Sequence, residues 1–294
     1  MAKKIAVIND LSGFGKCSLT AAISAISAMG VQPCPLPTAV LSAQTGYPSY
    51  YCDDYTDRME RIYNEWDKMQ VHFDGIYTGF MSGEEQIGKI FGFLDLFYKE
   101  DTFLLVDPIM GDNGERYPIF TSGMEAAMRE LALRADIITP NLTELCLLAG
   151  ADRRLINETK ERKKLVALAE QMARDMTADG IKEVIVTGIR FRDEESGEEM
   201  MGNLAVTEKK TSFSAFPFIG ESFSGTGDLF ASVVAGGRAR GDELSESMEL
   251  AGKMIERAIG DSVRAGVPRN DGVDYEQYLW MLGEKNRARL KNLK

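Results

Sequence analysis

Apolar runs alternate with helical periodicity along nearly the whole chain. Residues 4–9 predict a buried strand, and 19–29 a helix with Leu19, Ile23, Ile26 and Met29 at three- and four-residue spacing. A second strand is predicted at 35–41, entered through prolines, and a polar-rich helix at 54–70. Short apolar runs predict strands at 75–78, 103–106, 137–139 and 184–187, with helices at 84–98, 121–133 and 158–176 among them. Such repetition builds a mainly parallel sheet with helices on both faces. The order changes late: 203–207 and 211–215, joined through Glu208-Lys209-Lys210, predict an antiparallel hairpin, and helices follow at 243–260 and 274–290. No shift in composition marks a boundary, so one α/β domain over 1–294 is expected.

Open α/β sheets bind ligands beyond the carboxyl ends of their strands. The conspicuous polar groups fall there: Asp10 after the first strand, Thr45 after the second and Asp107 after the fourth. Asn141 and Glu144 follow the fifth, and Thr187-Gly188 the sixth. Their convergence predicts a single site.

The run Ser222-Phe223-Ser224-Gly225-Thr226-Gly227-Asp228 leads into apolar Leu229, Phe230 and Ala231, which reads as a tight loop feeding a buried helix. Free N–H groups at such a start attract phosphate, and small residues let it approach. Asp228 would repel that anion, which makes sense if it takes a proton from an attacking hydroxyl. A glycine-rich loop with an ordinary helix-start acid explains the same residues without chemistry.

Other motifs are weaker alone. Gly13-Phe14-Gly15-Lys16-Cys17-Ser18 resembles a phosphate loop but has Asp10 at the first-glycine position and Cys17 where a magnesium-binding hydroxyl belongs, so it reads as a wall of the substrate site. Asp107 and Asp112 are either a turn or a pair ordering magnesium near phosphates. Asn141 and Glu144 have the spacing of a helix capping box.

The formal charge of −11 over 294 residues argues against nucleic-acid or anionic-membrane partners, and it requires local positive potential or a metal for any phosphorylated ligand. Four scattered cysteines, a start without a signal-peptide core and no long apolar span make a cytoplasmic location the expectation. His72, the only histidine, excludes multi-histidine metal sites and reads as a surface or packing residue.

Five segments carry a resemblance over nearly the whole chain: Ser42-Ala43-Gln44-Thr45-Gly46-Tyr47, Thr78-Gly79-Phe80, Asp107 to Asp112, Asp136 to Glu144 and Gly225 to Ala231. In order and spacing they resemble the pyridoxal (vitamin B6) kinases of the ribokinase-like superfamily. The resemblance implies ATP-dependent phosphorylation of the 5'-hydroxymethyl group of a B6 vitamer by a homodimer using magnesium and a monovalent cation such as potassium. It implies Asp228 as base and Gly225, Thr226 and Gly227 as the anion hole. Asp107, Asp112, Thr139, Asn141, Glu144, Thr187 and Gly188 would surround MgATP, with Asp107 and Glu144 toward the metal, in part through water. Asp10, Ser12, Cys17, Thr45 and Phe80 would face the substrate.

Departures are instructive. Many B6 kinases have Ser-His where this chain has Asp10-Leu11, histidine at Gln44 and tyrosine at Phe80. Asp10 to Gly13 also resembles the hydroxymethylpyrimidine kinases of thiamine synthesis, the alternative reading, although those usually carry cysteine at the position of Asp228. A carboxylate at Asp10 should bias the choice among vitamers. Residues 47–57 and 113–120 read as candidate flaps over the site.

Overall fold

The computed structural model describes residues 2–152, 161–220 and 222–283. Six short apolar runs become the strands β1 (Lys4–Ser12), β2 (Gln32–Leu41), β4 (Gly75–Thr78), β5 (Phe103–Val106), β8 (Ile137–Ile138) and β9 (Glu183–Arg192). They pair in parallel, as expected of strands linked by helical crossovers. Antiparallel strands close both edges: β10 (Glu199–Thr207) and β11 (Thr211–Pro217) beyond β9, and β3 (Cys52–Asp54) beyond β2. The resulting nine-stranded order is β11-β10-β9-β8-β5-β4-β1-β2-β3.

Alternation along each buried strand divides two cores. In β1, Ala6 and Ile8 face one helical layer, while Ile5 and Val7 face the other. The first layer contains α2 (Thr56–Lys68), α3 (Glu84–Phe97), α4 (Ser122–Leu133), α5 (Leu142–Ala149) and α6 (Arg162–Ala178). The second contains α1 (Ser18–Ala28), α7 (Thr226–Arg240) and α8 (Leu244–Ala265). Near-uniform apolarity of strands such as Phe103–Val106 follows from burial on both faces.

Several expectations shift. The helix expected from 54 begins at Thr56, because the Asp54 carboxylate accepts the Thr56 N–H at 2.8 Å, and it ends before Gln70, whose φ is +53°. The long helix expected at 274–290 is instead a 3-10 turn at Glu276–Tyr278 and one turn, α9 (Leu279–Leu282). Tertiary bonds compete there: the Asp274 N–H donates to Ser262 Oγ at 2.9 Å, and Lys16 draws both Asp274 and Glu276. The parts of that helix beyond 283, and of the 158–176 helix before 161, lie outside the described residues.

Both candidate flaps carry paired backbone. Segment 47–57 contains β3, and 113–120 contains β7 (Glu115–Arg116), paired with β6 (Gly111–Asp112). Asn113 and Gly114, with φ of +52° and +81°, supply the two left-handed positions that a tight two-residue hairpin requires.

The first core centres on an aromatic cluster. Phe93 is fully buried, with ring centroids of Phe97, Tyr63, Phe73 and Trp66 at 4.7, 5.7, 6.1 and 6.4 Å. Phe93→Ala should cost about 3–5 kcal/mol in equilibrium unfolding. A cost below about 1 kcal/mol would show that this cluster is not an anchor of the fold.

Candidate active site

Every residue singled out in the sequence for a site role lines one cavity of about 950 Å³. Staggered ladder bonds place them at the same sheet edge. The N–H groups of Gly79, Asp107, Thr139 and Thr187 donate to the carbonyls of Ile8, Thr78, Val106 and Pro140. Each strand thus hands its neighbour a hydrogen bond just where the cavity begins. Two placements differ from expectation: Asp10 lies inside β1, and Thr187-Gly188 inside β9. The β1–β2 register slips between Asn9 and Leu11, and such irregularities turn side chains out of the regular alternation.

The start of α7 has the properties of an anion site. Gly225 occupies its N-cap with φ of +81°, and no side chain caps the helix. The first-turn N–H groups of Thr226, Gly227 and Asp228 therefore lack the intrahelical acceptors that later residues have. A Cβ at Gly225 would stand 2.1 Å from the Lys16 carbonyl oxygen, so this glycine is a packing requirement as well. Gly227 is different: a Cβ there would meet nothing within 4 Å.

Asp228 is half-exposed as a residue, yet its carboxylate is enclosed by protein at the cavity wall. Desolvation pushes its pKa up to about 6, the nearby Asp10 adds to this, and bonds from the Ser18 N–H and Asn9 oppose it. Asp10 is raised by burial too, although Ser12 Oγ donates to it at 2.8 Å. Burial drives the Cys17 thiol up to about 12, helped by Asp228 and Asp10, so Cys17 contributes a neutral wall.

The second carboxylate group lies across the cavity. Thr139 Oγ1 donates to Asp107 at 2.8 Å. Glu144 completes a capping box with Asn141 and also accepts the Met110 N–H at 3.1 Å. The capping box at Asn141 and Glu144 is thus present, and both residues also line the cavity. Burial raises the pKa of both Asp107 and Glu144, with repulsion from Asp228 adding at Asp107 and from Asp107 adding at Glu144. Among the described residues, no group of three His, Cys, Asp or Glu side chains could hold a metal unaided. Positive charge on the cavity wall comes from Arg190, Arg192 and Arg269.

Lys16 explains why the first glycine loop is not a phosphate loop: its ammonium faces Asp274 and Glu276 rather than a ligand. His72 is largely exposed and faces Asp101 at 3.4 Å, outside the cavity lining.

The sequence pattern assigned no individual role to Asn9, Ser18 or the segment Arg269–Asp271. Ser18 has φ of +50°, a strained conformation that aims its N–H at Asp228. The Arg269–Asp271 turn ties three cavity loops. Asp271 O accepts from the Lys16 N–H, Asn270 exchanges bonds with Gln44 Nε2 at 3.1 Å and Gly46 O at 2.7 Å, and Arg269 O accepts from the Ser224 N–H. Gln44 thus spends its amide on loop structure. The strained φ of Ser18 left no mark in residue type, and the turn's partners Gln44 and Gly46 lie over 200 residues away in sequence.

The two loop glycines should separate in a stability measurement. Gly225→Ala should lose roughly 2 kcal/mol or more in thermal unfolding, from left-handed strain plus the clash. Gly227→Ala should match or exceed wild-type stability, by up to about 1 kcal/mol. Equal losses at both positions would contradict the geometry described for the helix start.

A family model described as phosphomethylpyrimidine kinase matches residues 14–272. A pyridoxine/pyridoxal/pyridoxamine kinase of Bordetella avium is 25% identical over 285 residues, covering 91% of this chain and 90% of that protein. A Bacteroides thetaiotaomicron structure, provisionally named a phosphomethylpyrimidine kinase, superposes with a TM-score of 0.86 at 35% identity, covering 95% and 93% of the two chains. Another crystal form with the same description contains pyridoxal. The pyridoxal kinase of Lactobacillus plantarum gives a TM-score of 0.84 at 25% identity, covering 98% and 99%. With the family model spanning most of its length and its architecture that of the ribokinase-like pyridoxal kinases, the chain belongs to the phosphomethylpyrimidine kinase family.

Proposed function

We propose that this chain transfers the γ-phosphoryl group of ATP to the 5'-hydroxymethyl group of pyridoxal, pyridoxine or pyridoxamine, with Asp228 as general base. The observation that carries this reading is a carboxylate in the first turn of an uncapped, glycine-started helix that lines the cavity. A substrate hydroxyl is a poor nucleophile at neutral pH. Asp228 accepts its proton as the oxygen–phosphorus bond forms, while the helix-start N–H groups stabilise the transferring oxygens.

Asp107 and Glu144 suit a magnesium ion that arrives with nucleotide phosphates. Asp107 has a single hydrogen-bond donor among the described residues, whereas both Glu144 oxygens already accept N–H bonds, which favours contact through water. When bound, the metal neutralises charge on the phosphates. Asp112, Thr139, Asn141, Thr187 and Gly188 form the remaining nucleotide side of the proposal, and Ser12, Cys17, Thr45 and Phe80 the vitamer side. A monovalent cation such as potassium, a homodimeric state and a cytoplasmic location belong to the same proposal, and the formal charge of −11 supports partners that are small molecules rather than nucleic acid.

Asp10 is the residue we assign to selectivity. A buried carboxylate in the cavity wall is suited to a protonated ring nitrogen or to the amine of pyridoxamine.

An ATP-coupled assay with the three vitamers and hydroxymethylpyrimidine tests the reading, and preferential turnover of hydroxymethylpyrimidine would overturn it. Asp228→Asn should reduce turnover by about 100-fold or more. A base with a pKa raised to about 6 must lose its proton before it can act. Wild-type kcat/KM should therefore fall roughly tenfold per pH unit below about pH 6, and that limb should vanish in Asp228→Asn. Asp10→Ser should lower kcat/KM for pyridoxamine relative to pyridoxine; an unchanged vitamer ranking removes Asp10 from selectivity.

A further inference from the structure

Asn9 is fully buried at the end of the regular part of β1, and its side chain is the junction of the proposed reaction centre. Its Oδ1 accepts two backbone N–H groups, from Asp10 at 3.0 Å and from Phe80 at 2.9 Å. Those two donors determine which way the amide faces, because the NH2 group could not replace the acceptor. Nδ2 is thereby turned toward Asp228 Oδ1, to which it donates at 3.0 Å. One amide thus joins the proposed base to the backbone of Asp10 and of Phe80.

The surroundings are shaped to admit this amide. A Cβ on Gly79 would lie 2.4 Å from Asn9 Nδ2, so only a residue without a side chain leaves room for it. The Gly79 N–H also binds the Ile8 carbonyl at 2.9 Å, which fixes the spacing between the β1 and β4 ends. A buried amide that has its oxygen doubly satisfied and a hydrogen aimed at a carboxylate is a costly arrangement to keep for packing alone.

We propose that Asn9 is a positioning residue, which holds the Asp228 carboxylate in line with the substrate hydroxyl and in register with Asp10 and Phe80. The proposal rests on the kinase reading above. Asn9 occupies one side of Oδ1, so the orientation of Asp228 relative to an incoming hydroxyl does not depend on the substrate itself. Loss of that bond leaves Asp228 present but free to rotate, and misplacement of a reacting group by about 1 Å is enough to cost about 100-fold in rate.

A double-mutant cycle in kcat tests this. Asn9→Asp retains shape and the acceptor for both N–H groups but replaces the donor with an oxygen; Asn9→Ser is the second variant, smaller and uncharged. Each should lower kcat about 10- to 100-fold, with KM for ATP within about threefold of wild type. In an Asp228→Ala background, the same substitutions should change the residual kcat by less than about threefold, because the group they position is gone. Thermal stabilisation by ADP identifies folded variants. If kcat falls equally in both backgrounds, or Asn9→Asp retains wild-type kcat, Asn9 is structural and the inference is wrong. A wild-type chain that phosphorylates no vitamer overturns the kinase reading and this inference with it.

Discussion

In the proposed reaction a carboxylate and a phosphoryl group, which repel one another, would meet at one helix turn. That turn is uncapped and begins at a left-handed glycine, so its free N–H donors would offset the repulsion from Asp228. Everything near it serves this constraint. Gly225 packs against the Lys16 carbonyl, Ser18 accepts backbone strain to point its N–H at Asp228, and α7 buries an almost wholly apolar stretch after Asp228. The helix is anchored deep in the second core, so its first turn does not have to be stabilised by a cap.

The acidity of the chain sharpens the same point. Asp10, Asp107, Glu144 and Asp228 all line one cavity and all have raised pKa values, with burial the leading cause in each case. Carboxylates so placed are unfavourable in isolation. In the proposed reaction they fall into two groups with different partners: Asp107 and Glu144 would face a metal and phosphates, Asp10 and Asp228 a hydroxyl and a cationic ring. Arg190, Arg192 and Arg269 supply the local positive potential that the overall charge withholds.

The loops that complete the cavity are joined by one short turn. Arg269–Asp271 bonds to the Lys16, Gln44–Gly46 and Ser224 backbones or side chains, linking three loops of the cavity wall. Gln44 shows how this changes the meaning of a residue. At a position where many B6 kinases carry histidine, its amide is engaged by Asn270 and the Gly46 N–H at 2.7 Å.

Periodicity and local chemistry along the chain were enough to establish the alternating α/β order, the parallel sheet, the late hairpin and the set of polar groups that line the cavity. These depend on short-range physics: burial on two faces makes strands uniformly apolar, and glycine beside a helix start marks a left-handed cap. The Asn141–Glu144 capping box was legible for the same reason. The helix expected at 274–290 was not, because long-range bonds from Ser262 and Lys16 outweighed local preference. Asn9 looked like any strand residue; only the pairing of β1 with β4 and the packing of α7 bring Phe80 and Asp228 to its two ends. Sequence by itself determined which chemical groups the chain possesses and roughly where each strand delivers them. Tertiary structure alone decided which of them touch, since a hydrogen bond across 219 residues has no local trace.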